Sequence, residues 1–131
     1  MALDNDDELV AAWRRRSTEV RARFHPTHQQ SVLAGNPWTE FDGDFATLVG
    51  DMAMGGAYAG VELDLKTRAL CSIAALVACG DQRYAMNWMR NALNVGATTD
   101  EIVALLRQLF FYLGTPRTVA GFAALKDALE A

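Results

Sequence analysis

Apolar positions along this chain recur at intervals of three and four and almost nowhere alternate singly. An interval near 3.6 marks helices packed on one side, whereas an interval of two would mark strands. The pattern predicts an all-α protein of six to seven helices. A first helix runs from about Asp4 to Phe24, with Leu9, Trp13 and Val20 as inner positions, until Pro26 breaks it. A short helix through Leu33 ends at Gly35, and the stretch NPWTEFDG reads as a turn-rich connector. A third helix carries Phe45, Leu48, Val49 and Met52 and loosens at Gly55-Gly56.

The second half is punctuated more sharply. Asp64 opens a helix whose Leu65, Leu70, Ile73, Ala74, Leu76 and Val77 leave scarcely any polar face. That pattern predicts a buried central helix, closed by Gly80. A fifth helix spans about Asp81 to Val95 and stops at Gly96. TTDE then supplies a capping box, Thr98 to Glu101, for a sixth helix that ends at Gly114. Thr115 as cap and Pro116 at the first helical position open the last helix. The sixth helix, IVALLRQLFFYLG, is too apolar for an element with one wet face. A chain this small does not enclose it together with the 64–79 helix, so a homo-oligomer is expected.

Composition narrows the function classes. The 131 residues fit one domain, and 51% hydrophobic against 21% charged residues is the balance of a compact protein. A net charge of −4 argues against nucleic acid as partner. Arg14, Arg15, Arg16, Arg21 and Arg23 crowd the first helix behind Asp4, Asp6, Asp7 and Glu8. That order suits the helix dipole and reads as a solvated face rather than an anion-binding patch. No signal peptide is visible, and the apolar run Ala69–Cys79 is too short to cross a membrane. Cys71 and Cys79, on one helix, are separated by about 12 Å of rise, too far for a disulfide. They are expected to be buried, reduced thiols in a cytoplasmic protein. No zinc-type spacing occurs, so no metal is expected.

The fifth helix contains an anomaly. NWMRNALNVGA places Asn87, Asn91 and Asn94 at helical spacing. Each Asn costs roughly 0.6 kcal/mol against Ala in a helix. An outward face is more cheaply built from Lys, Glu or Gln, so Asn87 and Asn91 point to specific hydrogen bonding. Tyr84 shares their stripe, with Arg83 and Arg90 at its margin. Met54, Tyr58, Tyr84, Met86 and Trp88 either line an aromatic cavity or belong to the core.

The segments LDLKTRALCSIAALVACG and MRNALNVGATTDEIVALLRQLFFYLGTP resemble the carboxymuconolactone decarboxylase family, relatives of the alkylhydroperoxidase D (AhpD) proteins. The shared features are a D-x-K/R-T-R helix start, a small-residue central helix, an A-L-N-x-G helix end, a T-x-x-E-I cap and a Y-x-G-x-P turn. The resemblance covers about Phe41 to the end, and VRARFHPTHQQSVLAG is similar, more loosely, to the decarboxylase's N-terminal arm. It implies a single AhpD-like domain over residues 1–131, with a helical arm (1–35) and a family core (41–131). It also implies assembly into trimers or hexamers. Asn94 matches the family's helix-end turn and Tyr112 its Y-x-G-x-P turn, which gives Tyr112 either an anchoring or a pocket role.

The departures from the family pattern bear on chemistry. In register, Trp88 occupies the family's histidine position, and Asp81 and Tyr84 occupy the two cysteine positions of the peroxidase-like relatives. Within the decarboxylase's W-G-E-x-W stretch, here MGGAY, Gly56 replaces the acid and Tyr58 the second Trp. An indole donates a hydrogen bond but does not shuttle a proton near neutral pH. His28, in the arm, and Glu62, before the central helix, are the other proton-transfer candidates, beside Tyr84; each is equally readable as a surface group. Arg68 and Arg90 frame the family pocket and suit an enolate or carboxylate, or else form ordinary ion pairs with Glu62 or Asp64. The expectation is a cofactor-independent decarboxylase-like enzyme acting on a small oxygenated cyclic substrate in a specialised pathway. Its chemistry would be that of a lyase, cyclase, dehydratase or isomerase. The alternative is a non-catalytic, oligomeric ligand-binding member.

Overall fold

The computed structural model describes residues 7–26 and 37–130. The short helix expected through Leu33 and the candidate His28 lie outside the described residues. Seven α-helices and one π-helical segment account for the described elements: α1 (Asp7–Phe24), α2 (Pro37–Phe41), α3 (Gly43–Asp51), the π segment (Met52–Ala57), α4 (Leu65–Cys79), α5 (Gln82–Asn94), α6 (Thr99–Leu113) and α7 (Thr115–Glu130). Among the described residues there is no strand, as the hydrophobic spacing predicts. No described helix is long and apolar enough to cross a membrane. Contacts divide the chain into two compact units, residues 1–62 and 63–131.

In the first unit, α1 lies along the π segment and α3, and α2 packs on α3. The inner face of α1 is Trp13, Ser17, Val20 and Phe24, with Val20 and Phe24 buried. Leu9, expected to face inward, is 47% exposed. The connector is more ordered than its turn residues suggest. Pro37, pre-set for a first helical position, begins the five-residue α2, and the Trp38 ring meets Phe45 edge-on at 5.8 Å. The Asp42 carboxylate accepts from the Phe45 amide and starts α3.

Where looser helix was expected, the chain widens into a π turn, closed by the Tyr58 amide donating to the Ala53 carbonyl at 2.9 Å. Gly55 explains its position. A Cβ built on Gly55 would collide with the Trp13 carbonyl and stand 2.7 Å from Trp13 Cα, so α1 crosses the segment backbone to backbone. Two of the α1 arginines are not simply solvated. Arg14 Nε donates to Asp51 Oδ2 at 3.2 Å, and Arg21 Nη2 lies 3.7 Å from Asp51 Oδ1. They stand seven positions apart, two helical turns, and so grip one buried carboxylate from the same face.

In the second unit, α5 packs on α4 and α7, and α7 also touches α6 and α4. Asp64 and Asp81 cap α4 and α5 by accepting from the Thr67 and Tyr84 amides, at 2.7 and 2.9 Å. The expected capping box on α6 is present in both directions between Thr98 and Glu101. Lys66 Nζ adds a 3.0 Å bond to Glu101 Oε1 and ties α4 to α6. Ile73, Met89, Ile102 and Leu106 are fully buried. Gly121 lets α7 approach them closely, since a Cβ there would come within 2.7 Å of Leu106 Cδ2.

Three expectations need correction here. Helix α4 is buried along one stripe, Leu65, Ala69, Ile73 and Val77, rather than all round. Cys71 and Cys79 are consequently exposed free thiols, not buried ones. The α6–α7 corner is also tighter than expected: helix α7 begins at Thr115, and Gly114 alone joins it to α6, with φ 80 and ψ 178. That backbone region belongs to glycine. The apolar excess of α6 emerges at its end, where Phe111 and Tyr112 are 81% and 80% exposed.

Two outcomes follow. Gly55→Ala drives a methyl into an immovable backbone carbonyl and is expected to cost about 3 kcal/mol. Gly56→Ala meets the movable Trp13 ring instead and is expected to stay under about 1 kcal/mol by urea denaturation. The Lys66 hydrogen bond, then that from the Thr98 amide, holds the Glu101 carboxyl below its ordinary value of 4.5. A depressed folded-state value means stabilisation present above the ordinary carboxylate range and lost as pH falls through the folded value. In Lys66→Ala, NMR titration of Glu101 should therefore shift upward, and the acid-side loss of stability should shrink.

Candidate functional site

The amide face of α5 is the feature that packing alone does not explain. The helix buries Ala85, Met89 and Ala92, as an amphipathic helix between two others must, but it also buries Asn87, Trp88 and Asn91. Asn87 is 4% exposed, Trp88 8% and Asn91 1%. Both side-chain polar atoms of Asn91, Oδ1 and Nδ2, are buried without a hydrogen-bond partner among the described residues. A buried unsatisfied donor or acceptor costs about 1–3 kcal/mol, so Asn91 weakens the folded chain as it stands.

The rest of this stripe is graded from buried to open. Asn87 and Asn91, four apart, are neighbours on the helix surface. Tyr84, one turn before Asn87, is 37% exposed, and Arg90 is half-buried on the stripe's other margin. Asn94 is the last residue of α5, the place the A-L-N-x-G reading gave it. Arg68, in the first turn of α4, donates from Nε to the Leu63 carbonyl at 3.0 Å, which fixes its guanidinium at the helix start. Tyr112 is not gathered with this group; its ring is exposed at the end of α6.

The other candidates belong to the first unit. Met54 lies within the π segment, and Tyr58 ends it, with its ring edge-on to Phe24 at 5.9 Å and 85°. Glu62 is exposed. The surroundings of Gly56 reveal what the sequence did not. A Cβ on Gly56 would lie 3.1 Å from Trp13 Nε1, so the Trp13 indole covers the place from which an acidic side chain would project. No local signal announces this, because Trp13 reads as an ordinary inner residue of α1. Asp51 was likewise missed: its role rests on Arg14 and Arg21, 37 and 30 positions away. Among the described residues, no cluster of His, Cys, Asp and Glu could hold a metal ion.

This chemistry is a neutral one. Its buried members, two amides and an indole, donate and accept hydrogen bonds but do not exchange protons at neutral pH. Charge is available at the edge, from Arg90, and a phenol at the open end, from Tyr84.

Comparison with known proteins gives this geometry a lineage. The chain is similar to a protein of Acinetobacter baylyi described as 4-carboxymuconolactone decarboxylase, 28% identical over 126 residues, which is 96% of this chain and 90% of that relative. The model of the carboxymuconolactone decarboxylase family matches residues 43–127, from the start of α3 into α7, and includes the π segment and the whole amide stripe. An all-α chain with an AhpD-like run of helices, matched over most of its length, belongs to the carboxymuconolactone decarboxylase family.

Proposed function

We propose that this protein is a cofactor-independent enzyme of decarboxylase-like ancestry with altered chemistry, acting on a small oxygenated cyclic substrate held against α5. The observation that carries the reading is Trp88, buried at 8% exposure in the position given to the family's histidine. Loss of carbon dioxide from a lactone acid requires a proton delivered to carbon and a group that holds the developing enolate. Arg90, and Arg68 at the start of α4, suit the second task. An indole does not perform the first. The Trp13 ring over Gly56 supports the same reading, because it occupies the space of the acid that the decarboxylase pattern carries there.

The chemistry left to such a site depends on positioning: ring closure, dehydration or isomerisation of an intermediate already reactive. Tyr84, at the open end of the stripe, is the proton-transfer group closest in sequence to the amides. Assembly into a homo-oligomer, a trimer or hexamer, belongs to the same proposal, supported by the exposed Phe111 and Tyr112 of α6. The setting would be cytoplasmic and a specialised pathway. A second reading, a binding member without turnover, is favoured by one observation: no titratable group is among the buried residues of α5.

Purified protein offered 4-carboxymuconolactone should release carbon dioxide at least about a hundredfold more slowly than the Acinetobacter relative, the usual worth of a positioned acid–base group. Release at a comparable rate contradicts the altered-site reading. Among other cyclic oxygenated compounds, turnover that collapses in Arg90→Ala supports the enzyme. Binding without turnover of any of them supports the second reading.

A further inference from the structure

The orphaned amide of Asn91 also constrains what is bound, and this step rests on the reading of α5 as the substrate helix. Asn91 offers one acceptor, Oδ1, and one donor group, Nδ2, and neither is used. Asn87, one turn earlier on the same stripe, makes no side-chain hydrogen bond to another described residue and keeps slight access to solvent, at 4% exposed. Two polar groups, both of Asn91, therefore sit buried on this strip without a partner among the described residues, beside the nearly buried Asn87 amide.

A carboxylate satisfies only the donor half of such a strip. It has no proton to give, and its lone pairs would confront the amide oxygens in a medium that screens poorly. An ether or an unsubstituted lactone also only accepts. A hydroxyl both donates and accepts, and a hydroxyl between the two amides pairs with groups of both. A second protein surface is excluded as the partner by depth, because Asn91 is already 1% exposed in the single chain. A small ring would approach it beside Asn87, which keeps slight access to solvent, from the side of exposed Tyr84.

We infer that the Asn87–Asn91 pair recognises an uncharged, hydroxyl-bearing part of a cyclic ligand, with the hydroxyl donating to one amide oxygen and accepting from an amide nitrogen. Any anionic group of that ligand lies outside the strip, toward Arg90. The substrate class is then a hydroxylated lactone or hydroxylated cyclic ketone.

Three matched probes test the donor requirement: β-hydroxy-γ-butyrolactone, its O-methyl ether and γ-butyrolactone itself. Each is titrated into ¹⁵N-labelled full-length protein, with the Asn side-chain amide and indole resonances followed by NMR. The hydroxylactone should bind about tenfold or more tightly than either analogue, because only its hydroxyl can pair with an amide oxygen as well as an amide nitrogen. It should also move the Asn87 and Asn91 amide resonances. Asn91→Leu should abolish that preference, and so should Asn87→Leu, at a position nearer the surface. Equal affinities, or a preference that survives both substitutions, overturn the inference; if α5 resonances still move, the reading of α5 as the substrate helix stands. If no lactone moves α5 resonances, both are overturned.

Discussion

A polar group removed from water must be paired, and the Asn91 amide of this chain is removed without being paired. The other features of α5 hold it in that position. Asp81 starts the helix, Ala85, Met89 and Ala92 dock it on its neighbours, and Gly96, with φ 102, ends the turn that follows. A buried Met contributes about 1.5–3 kcal/mol and each buried alanine methyl about 0.8 kcal/mol, together enough to outweigh one frustrated amide. The helix is thus fixed by its apolar side, and its polar side is free to serve something other than folding.

The two halves of the chain were legible to different degrees, for a physical reason. Helix ends in the second unit are written locally: Asp64, Gly80, Asp81, the Thr98–Glu101 box and Gly114 each act within four residues of themselves. The start of α7 lies one position earlier than expected, because Gly114 performs two tasks where a Thr cap was read. In the first unit the decisive contacts span tens of residues. Nothing near Gly55 says that the Trp13 backbone will cross it, and nothing near Asp51 says that Arg14 and Arg21 will converge there. The helix hidden in the connector escaped notice because Pro37 marks a turn and a helix start equally well.

The site was legible in part. The three asparagines stood out because they cost stability where cheaper residues exist, and two of them are buried. Cys71 and Cys79 are exposed because the apolar composition of α4 does not mean burial around its whole circumference. Helix α4 places a single stripe inward and leaves its thiol side open. Tyr112 shows the opposite limit: a motif located it at the α6 end, but the motif carries no information on where its ring lies.

The account holds that α5 carries its amides at the expense of the fold, in the service of a ligand. Equilibrium unfolding of the ligand-free Asn91→Leu protein measures that directly. Removing two orphaned polar groups while keeping an apolar side chain of similar volume should raise the unfolding free energy, by about 1–3 kcal/mol. A variant less stable than the parent by a similar amount would show that the amide is paired and serves the fold, and would contradict the account.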